Sequence, residues 1–172
     1  MQLDLTRYRQ GLNHFSRVFQ PDDVGQEGEA YRIAEPVHVD MQIHKDKQRF
    51  RLVGTVRTRL ELSCSRCLEP FSLPIDSSFD LRYLPVEAAG EGSETDREVS
   101  EEDLDASVYR DDQIDLNELL REQFYLTLPM KPLCREDCAG LCPQCGTNRN
   151  TGTCVCSPQW EDPRLAPLKR LI

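Results

Sequence analysis

"RFRLVGTVRTRLELSC", Arg49 to Cys64, decides the fold. Phe50, Leu52, Val56, Leu60, Leu62 and Cys64 fall on even positions, whereas Arg49, Arg51, Val53, Arg57, Arg59 and Glu61 fall on odd ones. A period of two sends one set of side chains into a core and the other into water, which is the pattern of a strand with one buried face. On the N-terminal side, "HKDKQR" is polar enough for a hairpin turn, and Val37, Val39, Met41 and Ile43 alternate as a preceding strand. On the C-terminal side, "EPFSLPIDSSFDLRYLP" carries Phe79, Leu81 and Tyr83 in alternation and reads as a further strand. An antiparallel sheet follows.

Farther out, Tyr8, Leu12, Phe15 and Phe19 would share one side of a helix, a reading that Gly11 weakens. "PVEAAGEGSETDREVSEED", residues 85–103, combines small residues, glycine and acid with almost nothing to bury, so it reads as a loosely held acidic loop. A short strand-like "LDASVYR" precedes "DLNELLREQFYLTLP", in which Asp115 caps a helix whose Leu116, Leu119, Leu120 and Phe124 share a face until Pro129 ends it. The expected fold is therefore α+β. A mainly antiparallel sheet covered by one or two helices occupies residues 1–129, and a cysteine-rich, zinc-binding module with a short terminal helix occupies 130–172.

A chain of 172 residues supports one core of ordinary size plus a small appendage. No apolar run approaches the roughly 20 residues that span a bilayer, and "MQLDLTRYRQ" lacks the basic and apolar pattern of a secretory signal. A cytoplasmic protein without membrane association is expected. The formal charge of -9 is unevenly spread. Residues 1–84 carry 12 basic and 12 acidic side chains, residues 85–128 carry 3 and 14, and residues 129–172 carry 6 and 4. The acidity sits in the middle third, so total charge says little about what either flank binds.

The eight cysteines form four pairs: Cys64 with Cys67, Cys134 with Cys138, Cys142 with Cys145, and Cys154 with Cys156. In a reducing compartment such pairs are metal ligands or redox centres more often than disulfides. Zinc takes four tetrahedral ligands, and two thiolates on one tight turn supply half of them. Spacing assigns Cys142, Cys145, Cys154 and Cys156 to one site and leaves Cys64, Cys67, Cys134 and Cys138 for a second, with one or two structural zinc ions implied. A redox use of Cys64 and Cys67 needs a helix start at the first cysteine, and Pro70 followed by a strand argues against one.

No phosphate loop, dinucleotide fingerprint, nucleophile elbow or H-E-x-x-H helix occurs, so neither catalysis nor a small-molecule substrate is expected. The wet face of the strand points elsewhere. Arg49, Arg51, Arg57 and Arg59, with Lys45, Lys47 and Arg66 near its ends, would form a basic stripe able to engage phosphates. The competing reading is a solvated face paired with acids on neighbouring strands. Aromatics do not interleave with these arginines along the strand, which favours shape or backbone recognition of RNA over base stacking.

"LSCSRCLEPF", "IDLNELLREQFYLTLPMKPLC", "CAGLCPQCGTNRN", "CVC" and "DPRLAPLKRL", in this order over residues 50–172, resemble the YceD-like family of large ribosomal RNA subunit accumulation proteins. The resemblance implies a non-catalytic bacterial or plastid factor for accumulation or processing of large-subunit (23S) ribosomal RNA, with that RNA or a pre-ribosomal particle as partner. It also implies that Gly140, Leu141, Gly146 and Asn150 complete the cysteine knuckle and that Asp162, Pro163 and Arg164 form a terminal signature. Arg149 departs from the family by standing where an apolar residue is expected, and Pro167 interrupts the terminal helix, beyond which Lys169 and Arg170 leave a basic end. Two other readings compete. The chain could be an adaptor that docks a basic ribosomal protein through acidic residues 85–112, or a thiol redox protein using Cys64 and Cys67.

Overall fold

The computed structural model describes residues 1–25, 30–86 and 106–156. It divides into two compact units: Met1–Leu62 with Phe71–Met130, and Ser63–Pro70 with the chain from Lys131 onward. The division follows contacts rather than chain order, so the Cys64–Cys67 turn belongs with the cysteine-rich tail and not with the 1–129 segment.

In the first unit, β1 (Gln2–Asp4) pairs antiparallel with β8 (Gln113–Asp115). The main sheet runs β2 (Gly11–Phe19), β4 (Val37–Asp46), β5 (Arg49–Ser63), β6 (Pro70–Pro85) and β7 (Ala106–Tyr109), and β3 (Tyr31–Ile33) pairs with β5 beyond the end of β4. The alternation from Arg49 to Cys64 holds: Phe50, Leu52, Val56, Leu60 and Leu62 are buried, and Arg49, Arg51 and Arg57 are exposed. Register repeats the pattern across the hairpin, because Val39 pairs with Val56 and Ile43 with Leu52, placing apolar side chains on one face. Gly54 lies opposite Met41, and a Cβ there would collide with the Met41 side chain and the Asp40 carbonyl oxygen.

One expectation is corrected. Residues 11–19 form strand β2, not a helix: Gly11 adopts φ 92°, and nine residues pair with β4 from Gly11–Lys45 to Phe19–Val37. The helical spacing of Tyr8, Leu12, Phe15 and Phe19 was outweighed by this ladder, which turns Leu12 to solvent at 61% exposure. The sheet is mainly antiparallel, as expected, with β7 pairing in parallel with β6 from Arg82–Ala106 to Pro85–Tyr109.

Helix α1 (Leu116–Thr127) starts where expected, with the Asp115 carboxylate accepting from the Asn117 amide at 2.8 Å. It is the one α-helix among the described residues. Leu116, Leu119, Leu120 and Phe124 join the sheet's apolar face in a single core, and the Phe124 ring meets the edge of Tyr31 at 5.5 Å. Each such side chain, fully buried, contributes about 1.5–3 kcal/mol. Among the described residues, the buried core lies on this one face of the sheet. Most of the acidic segment, residues 87–103, lies outside the described residues, as do Asp162, Pro163, Arg164, Pro167, Lys169 and Arg170.

Candidate metal centres and the exposed sheet face

The second unit is organised by one turn used twice. After Cys64, the Leu68 amide donates to the Cys64 carbonyl at 2.9 Å and the Cys64 amide donates to the Glu69 carbonyl at 2.9 Å. After Cys142, the Gly146 amide donates to the Cys142 carbonyl at 2.9 Å and the Cys142 amide donates to the Thr147 carbonyl at 2.8 Å. Both turns place the residue after their second cysteine in the left-handed region, Leu68 at φ 62° and Gly146 at φ 73°. Glycine suits that conformation and leucine does not. The turn brings two thiols to one side of the backbone with amides aimed at the first, which is what a metal-thiolate half-site requires.

Each turn is completed by a second pair. Cys64, Cys67, Cys134 and Cys138 form one quartet, and Cys142, Cys145, Cys154 and Cys156 the other; within each, all four sulfurs lie within 4.8 Å of one another. In the first quartet Cys64 Sγ lies 3.8 Å from Cys138 Sγ, and Cys67 Sγ lies 3.7 Å from Cys134 Sγ. A tetrahedron with metal–sulfur bonds of about 2.3 Å has edges of about 3.8 Å. Those separations are far too long for disulfides and match a tetrathiolate cage, so both quartets could hold a metal ion.

The bipartite quartet is anchored by Ser65, whose amide donates to the Pro132 carbonyl at 2.8 Å, and by Arg66, whose guanidinium donates to the Cys138 carbonyl at 2.9 Å. Asn150 ties it to the knuckle: its amide nitrogen donates to Cys138 Sγ at 3.3 Å and its oxygen accepts from the Ala139 amide at 2.8 Å. Asn148 in turn accepts from that same Asn150 amide nitrogen at 2.8 Å. Such contacts fix ligand orientation around a metal. Arg149, one residue away, serves the local quartet, with its guanidinium 3.7 Å from Cys142 Sγ. An apolar residue there would leave the thiolate charge unbalanced.

Electrostatics within each quartet splits the thiols. Burial opposes charge on Cys64, but amides of Cys134, Cys67 and Arg66 directed at its sulfur outweigh this and bring its pKa down to about 6. The Cys145 and Gln144 amides bring Cys142 to about 6 as well. Desolvation and the neighbouring thiols push Cys134 up to about 12, and the Cys145 thiol together with burial does the same to Cys156. Four crowded thiols that cannot all ionise by themselves are the environment a dication relieves. A depressed thiol also suits redox chemistry, but the Cys64 residue is 0% exposed and offers no approach for a substrate disulfide.

The arginines expected to bind RNA separate into groups. Arg49, Arg51, Arg57 and Arg59 lie on the outer face of β5. Three of them meet acids from neighbouring segments: Arg51 with Asp80, Nε–Oδ1 2.8 Å; Arg57 with Asp76, 3.3 Å; and Arg59 with Glu35, 3.1 Å. Lys47 is exposed in the hairpin turn at φ 54°. Lys45 does not share their face: it falls on the inward positions of β4, where its ammonium donates to the Tyr8 carbonyl at 3.1 Å and lies 5.2 Å from the Phe50 ring centre. Arg66 belongs to the second unit. The outer face also presents Arg82 and all three histidines, His14, His38 and His44, which the spacing of β5 alone could not place.

The profile of the family described as large ribosomal RNA subunit accumulation protein YceD matches residues 52–172. The chain is 31% identical over 155 residues to a protein of Zea mays, and 29% identical over 160 residues to one of Arabidopsis thaliana, both named large ribosomal RNA subunit accumulation protein YCED homolog 1, chloroplastic. These alignments take in 78% and 82% of this chain and 53% and 50% of the plant proteins. An uncharacterized protein of Mycobacterium tuberculosis is 30% identical over 129 residues, 75% of this chain and 59% of that one. The chain thus spans about half the length of these relatives. No solved structure matches it. With both cysteine quartets, most of β5 and everything from β6 to α1 lying inside the matched region, the chain belongs to the YceD family of large ribosomal RNA subunit accumulation proteins.

Proposed function

We propose that this chain is a non-enzymatic, cytoplasmic ribosome-biogenesis factor that promotes accumulation or processing of large-subunit (23S) ribosomal RNA by binding it, free or in a pre-ribosomal particle. Two structural zinc ions hold its knuckle unit. The supporting observation is the outer face of the main sheet, where Arg49, Arg51, Arg57, Arg59 and Arg82 are presented together. Exposed ion pairs such as Arg51–Asp80 contribute only about 0–1 kcal/mol, so a phosphate that offers the same paired oxygens can replace the carboxylate. The acids keep the guanidinium groups oriented in the meantime.

Phosphate binding releases counterions and is steeply salt-dependent. Replacing Arg49, Arg51, Arg57 and Arg59 together with Ala is expected to weaken binding of a large-subunit RNA fragment and to flatten its dependence on salt. An unchanged slope would move the RNA site off this face.

A second reading is favoured by the ion pairs themselves and by the net charge of -9. On that reading the protein is an adaptor for a basic ribosomal protein. The segment first assigned to this role, 85–112, includes strand β7 and the buried Tyr109, so the test is confined to residues 87–105, replaced by a neutral linker of equal length. Loss of protein binding with RNA binding intact would favour the adaptor.

A further inference from the structure

All three histidines of the chain stand exposed on the same sheet face as the arginines. Two are placed by register rather than by neighbourhood in the sequence: His38 lies directly opposite Arg57, and His44 directly opposite Arg51. Side chains so paired are within about 5 Å at Cβ. Each pair also borders its own recess. His38 and Arg57, with Glu35, line one of about 220 Å³; His44 and Arg51, with Arg49 and Arg82, line another of about 260 Å³. The two histidines stand six positions apart along β4, a span of roughly 20 Å, several nucleotides of an extended strand.

From this arrangement we infer that the face is a binding site for unpaired, single-stranded RNA, with bases stacked on His38 and His44 and phosphates held by Arg51 and Arg57. The inference rests on RNA being the partner of this face. It goes further by choosing among RNA forms, and the acids decide the choice. Asp40, Asp46, Asp76 and Asp80 share the face with the arginines. A duplex presents a continuous wall of phosphates and would be set against these carboxylates. A single strand can turn its phosphates to the guanidinium groups and its bases to the recesses, where carboxylates accept hydrogen bonds from base amino groups. Imidazole rings interleaved with guanidinium planes form a stacking platform that tolerates any base. The arginines of β5 therefore do have aromatic partners, supplied by the neighbouring strand.

The test is fluorescence anisotropy of the full chain with a single-stranded RNA of about ten nucleotides and with a duplex of equal length. It is run at pH 8 for the parent and every variant. The single strand is expected to bind more tightly than the duplex. His38→Ala and His44→Ala should each weaken it about tenfold without changing the salt slope, whereas Arg51→Ala and Arg57→Ala should reduce the slope. His38→Phe and His44→Phe should bind nearly as the parent does, because a ring that stacks is kept. Equal or tighter duplex binding, or alanine variants that bind like the parent, would overturn the single-strand site and leave RNA binding by the arginines standing. No binding of either RNA would overturn the underlying reading as well.

Discussion

Cys64–Cys67 and Cys142–Cys145 adopt the same hydrogen-bonded turn, yet the centres built on them are completed in opposite ways. The local centre closes over a short loop, Cys145 to Cys154, within one stretch of chain. The bipartite centre joins thiols 67 and 74 residues apart. Loop-closure entropy makes the longer connection costlier by about 1.5 kcal/mol, and for the same reason a metal clip across it restricts the unfolded chain more. Exposure follows the division. Cys64, Cys67 and Cys138 are buried in the bipartite centre, whereas only Cys142 is buried in the local one. One turn therefore serves as a long-range clasp in one place and as a local knuckle in the other. The residue after its second cysteine differs accordingly, an exposed leucine in the clasp and a glycine in the knuckle.

The strongest way to break this comparison is to remove ligands. Structural zinc supplies about 10–16 kcal/mol of apparent folding free energy in small sites. Cys64→Ser with Cys67→Ser is expected to lose the bipartite ion and expose residues 131–141 to protease. Cys154→Ser with Cys156→Ser should lose one ion and leave that segment protected. Metal content by native mass spectrometry, read beside limited proteolysis, checks both. Equal proteolysis in the two variants would mean that the centres are not distinct in role.

Acidity comes next. Protons compete with the ion for thiolates, so affinity falls as pH falls. Cys134 and Cys156, near 12, are protonated at pH 7 and compete throughout, whereas Cys64 and Cys142, near 6, begin to compete only below about pH 6. Competition with a zinc chelator should therefore show affinity lost more steeply per pH unit below about 6 than above it. A constant slope would contradict the split.

Asn150 sharpens the comparison further, because it lies in the loop of the local centre but donates to Cys138 of the bipartite one. Asn150→Ala should weaken the bipartite centre about 10–100-fold and spare the local centre, while Arg149→Ala should do the reverse. The smallest expected effect tests the turn itself. Leu68→Gly relieves a left-handed leucine that is 64% exposed and should stabilise the second unit by about 0.5–1 kcal/mol, and Gly146→Ala should destabilise it by a similar amount. Thermal melts of the zinc-loaded protein measure both.

Much of the sheet was legible because β5 obeys a strict alternation, and its register then fixes β4. The cysteine quartets were legible for a different reason: two thiols on one tight turn supply half of a tetrahedral cage, so four such pairs group into two sets of four. What escaped was whatever depends on pairing. Strand β2 imitates helical spacing until its ladder with β4 is known, and the parallel entry of β7 has no local signal at all. Lys45 sits close to the arginines in sequence and is odd-numbered like them, but across the hairpin turn the odd positions of β4 face inward, which places it against Phe50. His38 and His44 occupy the even positions of β4, so reading that strand's wet face as carefully as that of β5 would have found them. The ion pairs of Arg51, Arg57 and Arg59 were foreseeable only as a class, since their acids come from segments whose register the sequence does not state.

Crosslinking in cells followed by sequencing of the attached RNA, with the variant lacking Arg49, Arg51, Arg57 and Arg59 run in parallel, tests most directly whether the sheet contacts ribosomal RNA. RNA binding through that face predicts reads concentrated in one region of large-subunit ribosomal RNA and lost in the variant. Background reads from both proteins would contradict it and place a protein partner between this chain and the RNA.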